Sequence, residues 1–339
     1  MLRILHDTKY DFIKYWKHAA IGTVAFIALG LVLLSYHKAR TGEWLNESIE
    51  FTGGTLMQLR FAQAPNVGDI RSTVDQAGFP GSEITQFGAP TEFTIRAQPR
   101  TGTVAGATST DSASRHIEAA LHRRFGDTTA VKVLRSEFVG PRVGSELRRN
   151  AIIAILISFV VTLIYLAFRF EWRFGLAAVV ATAHDILTTL AFLAMMRLEV
   201  SLTVVAALLT VIGYSLNDTI IIFDRVRENL KKQRRETLRE VLNRSINETL
   251  PRSVLTHATT LAATLALLFF AGEVIRPFSW IMAFGIFTGT FSSIYVAGAL
   301  LLWIERKWPR KEDAKGTSKA LAEERRRERK GSGAELASR

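Results

Sequence analysis

Long apolar runs separated by charged segments form the main pattern of the chain. Six runs contain no Lys or Arg and only two acidic side chains, and they occupy residues 19–36, 151–168, 174–196, 200–223, 253–272 and 277–304. A bilayer core requires about 20 apolar residues per helix, whereas a helix on a soluble globule carries polar residues at regular intervals along one face. The pattern therefore predicts an α-helical polytopic membrane protein with six transmembrane helices.

The first run, 19–36, has two interpretations, a cleaved signal peptide and a retained transmembrane helix. It is long for a signal peptide, and residues 35–38 offer no cleavage site made of small residues. We therefore expect transmembrane helix 1 to be a retained signal anchor.

The basic residues of this 339-residue chain are unevenly distributed, although its net charge is +12. Of the 43 Lys and Arg residues, 27 lie in the segments 1–18, 169–173, 224–252 and 305–339, which the six spans place on one side of the membrane. Short loops rich in Lys and Arg stay in the cytoplasm, whereas long domains cross largely regardless of charge. Both termini are therefore predicted to be cytoplasmic, with the domain 37–150 outside. The basic excess then records topology and does not indicate a nucleic-acid partner.

The domain 37–150 has a legible order of elements. Strands are predicted at 48–62, 83–87, 91–97 and 129–138, and helices at 67–77 and 112–125. This β-α-β-β-α-β order predicts a ferredoxin-like α+β fold, which by itself names no chemistry. The small polar stretch 101–111 is expected to be a mobile loop.

Two charged segments on the cytoplasmic side have no apolar run. Apolar residues recur at helical spacing among the charges of 224–252, which predicts an amphipathic helix lying along the headgroups. The tail 305–339 is dense in charge and is expected to be solvated and partly disordered. Ribosome or RNA contact is one interpretation of this tail, and attraction to anionic membrane lipids is the favoured one.

Several classes of function are excluded by residues that the sequence lacks. It has no Cys, which rules out disulfides, thiolate metal sites and a cysteine nucleophile. It has no glycine-rich phosphate loop, no His-Glu-x-x-His and no Gly-x-Ser-x-Gly. We therefore expect no enzyme activity, no cofactor and no metal.

Asp218 is an acidic residue inside the fourth span, which makes it the first candidate for function. It lies six residues, about 9 Å, deeper than Asp224, and Tyr214 and Ser215 share its helical face. A carboxylate at bilayer depth costs about 2.5–3.5 kcal/mol and is by default a functional-site hypothesis. The alternative, a headgroup position, fits this depth less well.

Arg252 follows Pro251 and is predicted to open the fifth span, since proline suits the first turn of a helix. Thr256 and Thr260 continue its face of the helix. If the fourth and fifth spans are antiparallel neighbours, Arg252 can approach Asp218 and oppose the effect of burial on its carboxyl group. A snorkelling interface anchor is an equally good interpretation of Arg252, and both stay open.

His184 and Asp185 form a second polar group, within the third span. A histidine at this depth suits proton relay, whereas a hydrogen-bonded pair that holds helices together is the favoured interpretation. His257 is expected to serve packing. In the sixth span, Gly285, Gly289 and Ser293 recur at intervals of four, which predicts close helix packing and no chemistry.

Several segments resemble the SecF branch of the SecD/SecF family of export proteins. The matching segments are IEFTGGT, FVGPRVGSEL, AHDILTTLAF, GYSLNDTIIIFDRVREN, PRSVLTHATT and GTFSSIYVAGAL, in order from about Tyr10 to Trp303. One departure is Glu50, where the family commonly has Asp before Phe-x-Gly-Gly.

This resemblance implies half of an assembly of the RND superfamily, located in the bacterial inner membrane. It implies a SecD partner, the SecYEG translocon with SecA acting upstream, a translocating preprotein, and proton flow that draws the preprotein outward. It also implies roles in proton conduction for Asp218 and Arg252. Two rival functions remain, a stand-alone RND-type exporter and a scaffold of the translocon that uses no protons.

Overall fold

The computed structural model describes residues 8–97, 110–127, 129–232, 236–272 and 274–308. Most of the loop predicted at 101–111 and most of the tail 305–339 lie outside these residues. The described part contains six helical segments long and apolar enough to cross a membrane, together with one α+β domain. The segments are Phe12–Thr41, Pro141–Arg169, Trp172–Met196, Leu202–Lys232, Leu238–Phe270 and Arg276–Lys307.

The elements follow one another in a simple order. A 3-10 turn, Phe12–Tyr15, precedes the first helix, and a π-helical segment, Ser292–Ala297, joins the last two helices into one span. The helices are α1 Trp16–Thr41, α2 Ile49–Thr52, α3 Val67–Gln76, α4 Thr110–Phe125, α5 Pro141–Arg169, α6 Trp172–Met196, α7 Leu202–Lys232, α8 Leu238–Phe270, α9 Arg276–Phe291 and α10 Gly298–Lys307. The strands are β1 Gly54–Phe61, β2 Glu83–Gln86, β3 Glu92–Ala97 and β4 Val131–Val139.

The α+β domain lies between α1 and α5 and is built on an antiparallel sheet with the strand order β2-β3-β1-β4. Helices α3 and α4 share the domain core with the sheet, because Ile70 of α3 and Ile117 of α4 are fully buried with Met57, Leu59 and Ile95 of the strands. The β-α-β-β-α-β prediction is confirmed. We call the side of the bundle that carries this domain the domain side, and the opposite side the terminal side.

The strand predicted at 48–62 is partly wrong, because its first residues form the short helix α2. Ser48 begins this turn, and its hydroxyl accepts a hydrogen bond from the amide of Glu50. Gly53 and Gly54 then adopt φ angles of 74° and 124°, which residues with a Cβ rarely reach. Gly53 ends α2 and Gly54 is the first residue of β1, and periodicity alone does not distinguish such a turn from a strand.

Helices α6, α7 and the α9–α10 span form the centre of the bundle. More than half of their apolar windows is buried within the protein, whereas most of α1 and α5 is exposed. Apolar side chains that a membrane helix exposes face lipid or another membrane subunit.

The amphipathic helix predicted at 224–252 is not a separate element. Helix α7 continues to Lys232, and α8 begins at Leu238 with a capping box between Thr237 and Glu240. Val241, Leu242 and Ile246 are buried in the core of the bundle. Their helical spacing therefore reflects packing against neighbouring helices.

Pro251 and Arg252 lie inside α8, more than three turns after its start, so the prediction that they open the span is wrong. Proline inside a helix removes one backbone hydrogen bond. The helix persists because the turns before Pro251 are packed, and Ser245 and Leu250 are buried there. The apolar run started later than the helix because the earlier turns carry charges on their exposed face.

Candidate functional site

Asp218 lies near the middle of α7, sixteen residues after Leu202 and fourteen before Lys232. At 1.5 Å per residue it is about 24 Å and 21 Å from the two helix ends. Its exposed fraction is 4%. The carboxyl group is thus buried within the protein, near the middle of a helix that is long and apolar enough to cross a membrane.

Ser253 of α8 is hydrogen-bonded to Asp218. Its hydroxyl donates a hydrogen bond of 2.5 Å to Oδ1 of Asp218. The second oxygen, Oδ2, is buried and has no hydrogen-bond partner among the described residues. A buried carboxylate with one unsatisfied oxygen is costly, so this group is prepared to accept a further donor or a proton.

Arg252 is placed differently from the sequence-based expectation. It is exposed, and no nitrogen of its guanidinium lies within 4.0 Å of the Asp218 carboxylate. It is nevertheless close enough for its charge to act on that carboxylate. Arg252 therefore influences Asp218 through space and is not its direct partner.

The face of α8 that points at Asp218 carries Ser253 and His257, four residues apart. His257 is buried, interacts electrostatically with Asp218, and packs its ring 5.2 Å from that of Tyr214. Sequence reasoning missed Ser253 and favoured packing over proton relay for His257. Their i, i+4 spacing was the available signal, since it places both on one face.

Thr256 and Thr260 lie beside this face, and their hydroxyl groups form hydrogen bonds with backbone carbonyls of α8. The hydroxyl of Thr256 donates to the carbonyl of Arg252, and that of Thr260 donates to the carbonyl of Thr256. The Tyr214 hydroxyl donates to Thr260 Oγ1 at 3.0 Å, which joins the threonines to α7.

Asp185 of α6 is a second buried carboxylate, with an exposed fraction of 1%. Its Oδ2 accepts hydrogen bonds from Ser215 at 2.5 Å and from Ser292 at 2.8 Å. Nδ1 of His184 lies 3.1 Å from its Oδ1. Asp185 thus connects α6, α7 and the π-helical segment near the middle of α6.

A polar seam leads from Asp185 towards Asp218. Ser215 contacts Asp185 and lies one turn before Asp218 on α7, and Thr219 directly follows Asp218. Thr219 is hydrogen-bonded to Ser293 at 2.9 Å, next to Ser292 in the π-helical segment. π-Helical turns are frequent at functional sites, and the extra residue in the turn shifts which side chains point inward. Here it lets both serines face α7 and α6.

The small residues of α9 allow α7 to approach closely. A Cβ on Gly285 would lie 2.3 Å from Cγ2 of Val211, and one on Gly289 would lie 3.0 Å from Cβ of Ser215. Both distances are shorter than side-chain packing permits without movement. The close approach brings the seam residues together. Within the described residues, no group of three or more His, Asp or Glu side chains could hold a metal ion.

Two models of known protein families match segments of the chain. The model of the family "Protein export membrane protein SecD/SecF, C-terminal" matches residues 119–307, which include α5 to α10 and both buried carboxylates. The model of the SecD/SecF GG motif matches residues 44–65, which include Gly53 and Gly54.

The chain belongs to the SecD/SecF family. The protein translocase subunit SecF of Gemmatimonas aurantiaca is 61% identical to it over 322 residues, covering 95% of this chain and 94% of that protein. The SecF subunit of Vibrio alginolyticus is 40% identical, covering 89% and 92%. Membership in the SecD/SecF family makes the chain a multi-pass membrane protein and a protein translocase subunit.

A crystal structure of SecDF from Thermus thermophilus, described as a translocon-associated membrane protein, superimposes with a TM-score of 0.77 at 38% identity. The match covers 90% of this chain and 40% of SecDF. This chain therefore corresponds to less than half of that longer SecD/SecF protein.

Proposed function

We propose that this chain is the SecF subunit of a SecDF complex that couples proton flow through the bundle to outward movement of a preprotein. The observation that carries the proposal is Asp218, a carboxyl group buried at membrane depth with one oxygen unsatisfied. Ionisable groups within membrane helices are rare, and substrate, ion and proton pathways are among the sites that they mark.

The membrane potential supplies the driving force for the proton, and the response is a change in the contacts between α7 and α8. A membrane potential contributes about 2.3 kcal/mol per 100 mV for each proton that crosses. Protonation of Asp218 removes a charge that interacts with Ser253, His257 and Arg252. The contacts of α7 with α8 then differ between the two protonation states, which biases the packing of these helices.

We propose that Asp185 is a second proton-accepting group on the same proton pathway, with His184 beside it. Two serine hydroxyls and a histidine ring supply its hydrogen bonds, and hydroxyl and imidazole groups both accept and donate protons. The seam through Ser215, Ser293 and Thr219 lies between the two carboxylates, and Thr256 and Thr260 are joined to α7 through the Tyr214 hydroxyl.

The proposed SecD partner is inferred from the length of the related SecDF. Since this chain matches 40% of it, a SecD subunit is proposed to supply the rest and to cover lipid-exposed helices. SecYEG, with SecA acting upstream, would deliver the preprotein, and membrane lipids would contact the basic segments. The location proposed is the bacterial inner membrane, with both termini cytoplasmic and the α+β domain outside. We propose no enzyme activity.

The test is the Asp218→Asn variant, co-purified with SecD and reconstituted into vesicles with the translocon. Asparagine keeps the volume and hydrogen-bonding capacity of the side chain and does not lose or gain a proton at physiological pH. We expect unchanged assembly, and preprotein translocation that falls to the level seen without a proton gradient. Asp224→Asn is the matched control, because Asp224 pairs with Arg169 at the terminal-side end of the same helix.

Two results would contradict the proposal. Stimulation by the gradient that survives in Asp218→Asn would favour the scaffold, in which no proton is used. Transport by the chain without SecD would favour a stand-alone RND-type exporter.

A further inference from the structure

The α+β domain is joined to the domain-side end of α7 by backbone pairing. The amide of Val200 donates to the carbonyl of Asn46 at 2.7 Å, and the amide of Ser48 donates to the carbonyl of Val200 at 2.9 Å. These two bonds form a parallel bridge between Glu47 and Val200. The segment that precedes α2 is therefore fixed to the residues that precede α7.

Glu50 completes this junction by capping α7. Its carboxylate accepts a hydrogen bond of 2.6 Å from the amide of Leu202, the first residue of the helix. First-turn amides have no partner inside their own helix, and negative charge is favoured there. The cap supplied by the residue directly before α7 is weaker, since the amide of Val204 lies 3.4 Å from the Ser201 hydroxyl. A residue of the domain thus holds the start of the helix that carries Asp218.

Arg96 of β3 ties the sheet to the same junction. Its guanidinium contacts Glu199, just before α7, at 2.6 Å and Glu83 of β2 at 3.0 Å. It also donates to the side chain of Asn46 and to the carbonyl of Glu47. The guanidinium therefore links two strands, the segment before α2 and the loop before α7.

Helix α2 is also packed against the start of α5. A Cβ on Gly53 would lie 2.8 Å from the Cα of Pro141, and one on Gly144 would lie 2.9 Å from the amide nitrogen of Gly53. A cavity of about 550 Å³ opens beside the junction, between the sheet and the domain-side loops. The domain is thus attached firmly at α2 and has free space on one flank.

We propose that Glu50 is a positioning residue that transmits movement of α7 to the α+β domain. Movement of α7 carries Leu202 and Val200 with it, and the cap and the backbone bridge pull α2 and β1 in the same direction. The source of that movement is the protonation of Asp218 proposed above, so the role of Glu50 in export rests on that proposal. The mechanical link itself stands on the contacts of Glu50.

The test measures the distance between domain and bundle in the complete complex. Because the chain has no cysteine, spin labels can be attached to cysteines introduced at Gln86 of β2 and Met195 of α6, both exposed. Pulsed electron resonance then gives the distribution of label distances in lipid nanodiscs. It is recorded with and without the Asp218→Asn substitution, in chains with Glu50 and in Glu50→Ala.

With Glu50 present, we expect one narrow distribution that shifts when Asp218→Asn is introduced. In Glu50→Ala we expect a broader distribution whose shift falls to less than half, while proton uptake by the complex is unchanged. Glu50→Asp, which keeps the carboxylate, should restore at least part of the shift. Glu43→Ala, which changes an exposed glutamate just after α1, is the matched control and should behave like the parent.

The outcomes separate the two proposals. A distribution that stays narrow in Glu50→Ala, or that shifts fully, overturns the role of Glu50. A parent whose distribution does not shift on Asp218→Asn overturns the proton coupling, while broadening in Glu50→Ala would still support the link. If Glu50→Ala does not assemble, Glu50→Gln provides the same comparison, since it keeps an acceptor and removes the charge.

Discussion

At the scale of single residues, the central fact is that Asp218 is held by a hydroxyl and not by a cation. Ser253 donates to one oxygen, and Arg252 stays exposed on the neighbouring face of α8. A buried ion pair with Arg252 would stabilise the charged carboxylate strongly. A hydroxyl can instead serve both the charged and the neutral form, because it donates to one and accepts from the other. Such a partner suits a group that changes protonation during its work.

The Ser253→Ala variant tests this contact. It removes the hydrogen bond that Asp218 receives, and leaving a buried charged group without a donor costs about 1–3 kcal/mol. We expect a lower free energy of unfolding in detergent for Ser253→Ala, and a smaller loss when Asp218→Asn is also present. The difference between the two losses is the coupling energy of the pair.

Thr259→Ala is the control for this cycle, because Thr259 is exposed and its hydroxyl donates to backbone carbonyls of its own helix. Its effect should stay within about 0.5 kcal/mol. Equal losses for Ser253→Ala in both backgrounds would show that the serine does not act on the carboxylate.

At the scale of elements, α7 and α9 approach each other because glycines of α9 face side chains of α7. Gly285 lies against Val211, whose branched Cβ gives it little freedom to rotate away. In a membrane, where apolar contact with lipid competes with helix contact, small residues are the usual means of close packing. The same approach positions Ser292 and Ser293 at the polar seam.

Gly285→Ala should therefore destabilise the bundle by about 1–3 kcal/mol, since the added methyl group has no space. Gly213→Ala, on α7, is the matched control because nothing lies within 4 Å of the position that its added methyl group would take. We expect that variant to be neutral or more stable by up to about 1 kcal/mol. Thermal unfolding of both variants in one detergent compares them directly, and equal melting temperatures would refute the packing argument.

The elements also show what a sequence can reveal. Six spans and the order of the α+β domain were predictable, because apolar runs and alternation are local patterns. Helix α2 was not, since its end depends on the positive φ angles of Gly53 and Gly54. The contact between Asp218 and Ser253 was not either. It depends on how two helices are rotated about their axes, and an apolar run of uniform character does not define that rotation.

At the scale of the whole molecule, the α+β domain and the helix bundle meet at the polar junction before α7. Arg96 and Glu199 form an ion pair there. Burial raises the pKa of the Glu199 carboxyl above 4.5, with Glu83 and Glu50 adding to the rise and Arg96 opposing it. The charged form of Glu199 is thus less favourable in the folded protein than in water. Its contact with Arg96 sets the geometry of the junction more than it stabilises the fold.

This raised pKa predicts a pH dependence with a definite sign. At pH values well below the ordinary pKa of 4.5, Glu199 is protonated in both the folded and the unfolded state, and its burial carries no charge penalty. As pH rises through the folded-state pKa, the folded protein loses stability. The melting temperature of Glu199→Gln relative to the parent should therefore increase between pH 4 and pH 7. A difference that is constant or decreases over this interval would contradict the prediction.

The cap on α7 also has a consequence for the order in which the protein is made. The last strand of the domain, β4, ends at Val139, 63 residues before Leu202, an interval that a ribosome adding 5–20 residues per second covers in about 3–13 s. Small domains fold faster than this. The α+β domain can therefore be complete, with its carboxylate in place, before the helix that it caps has been synthesised. When α7 is synthesised, the Glu50 carboxylate is already positioned to cap it, so the bundle joins a domain that has already folded.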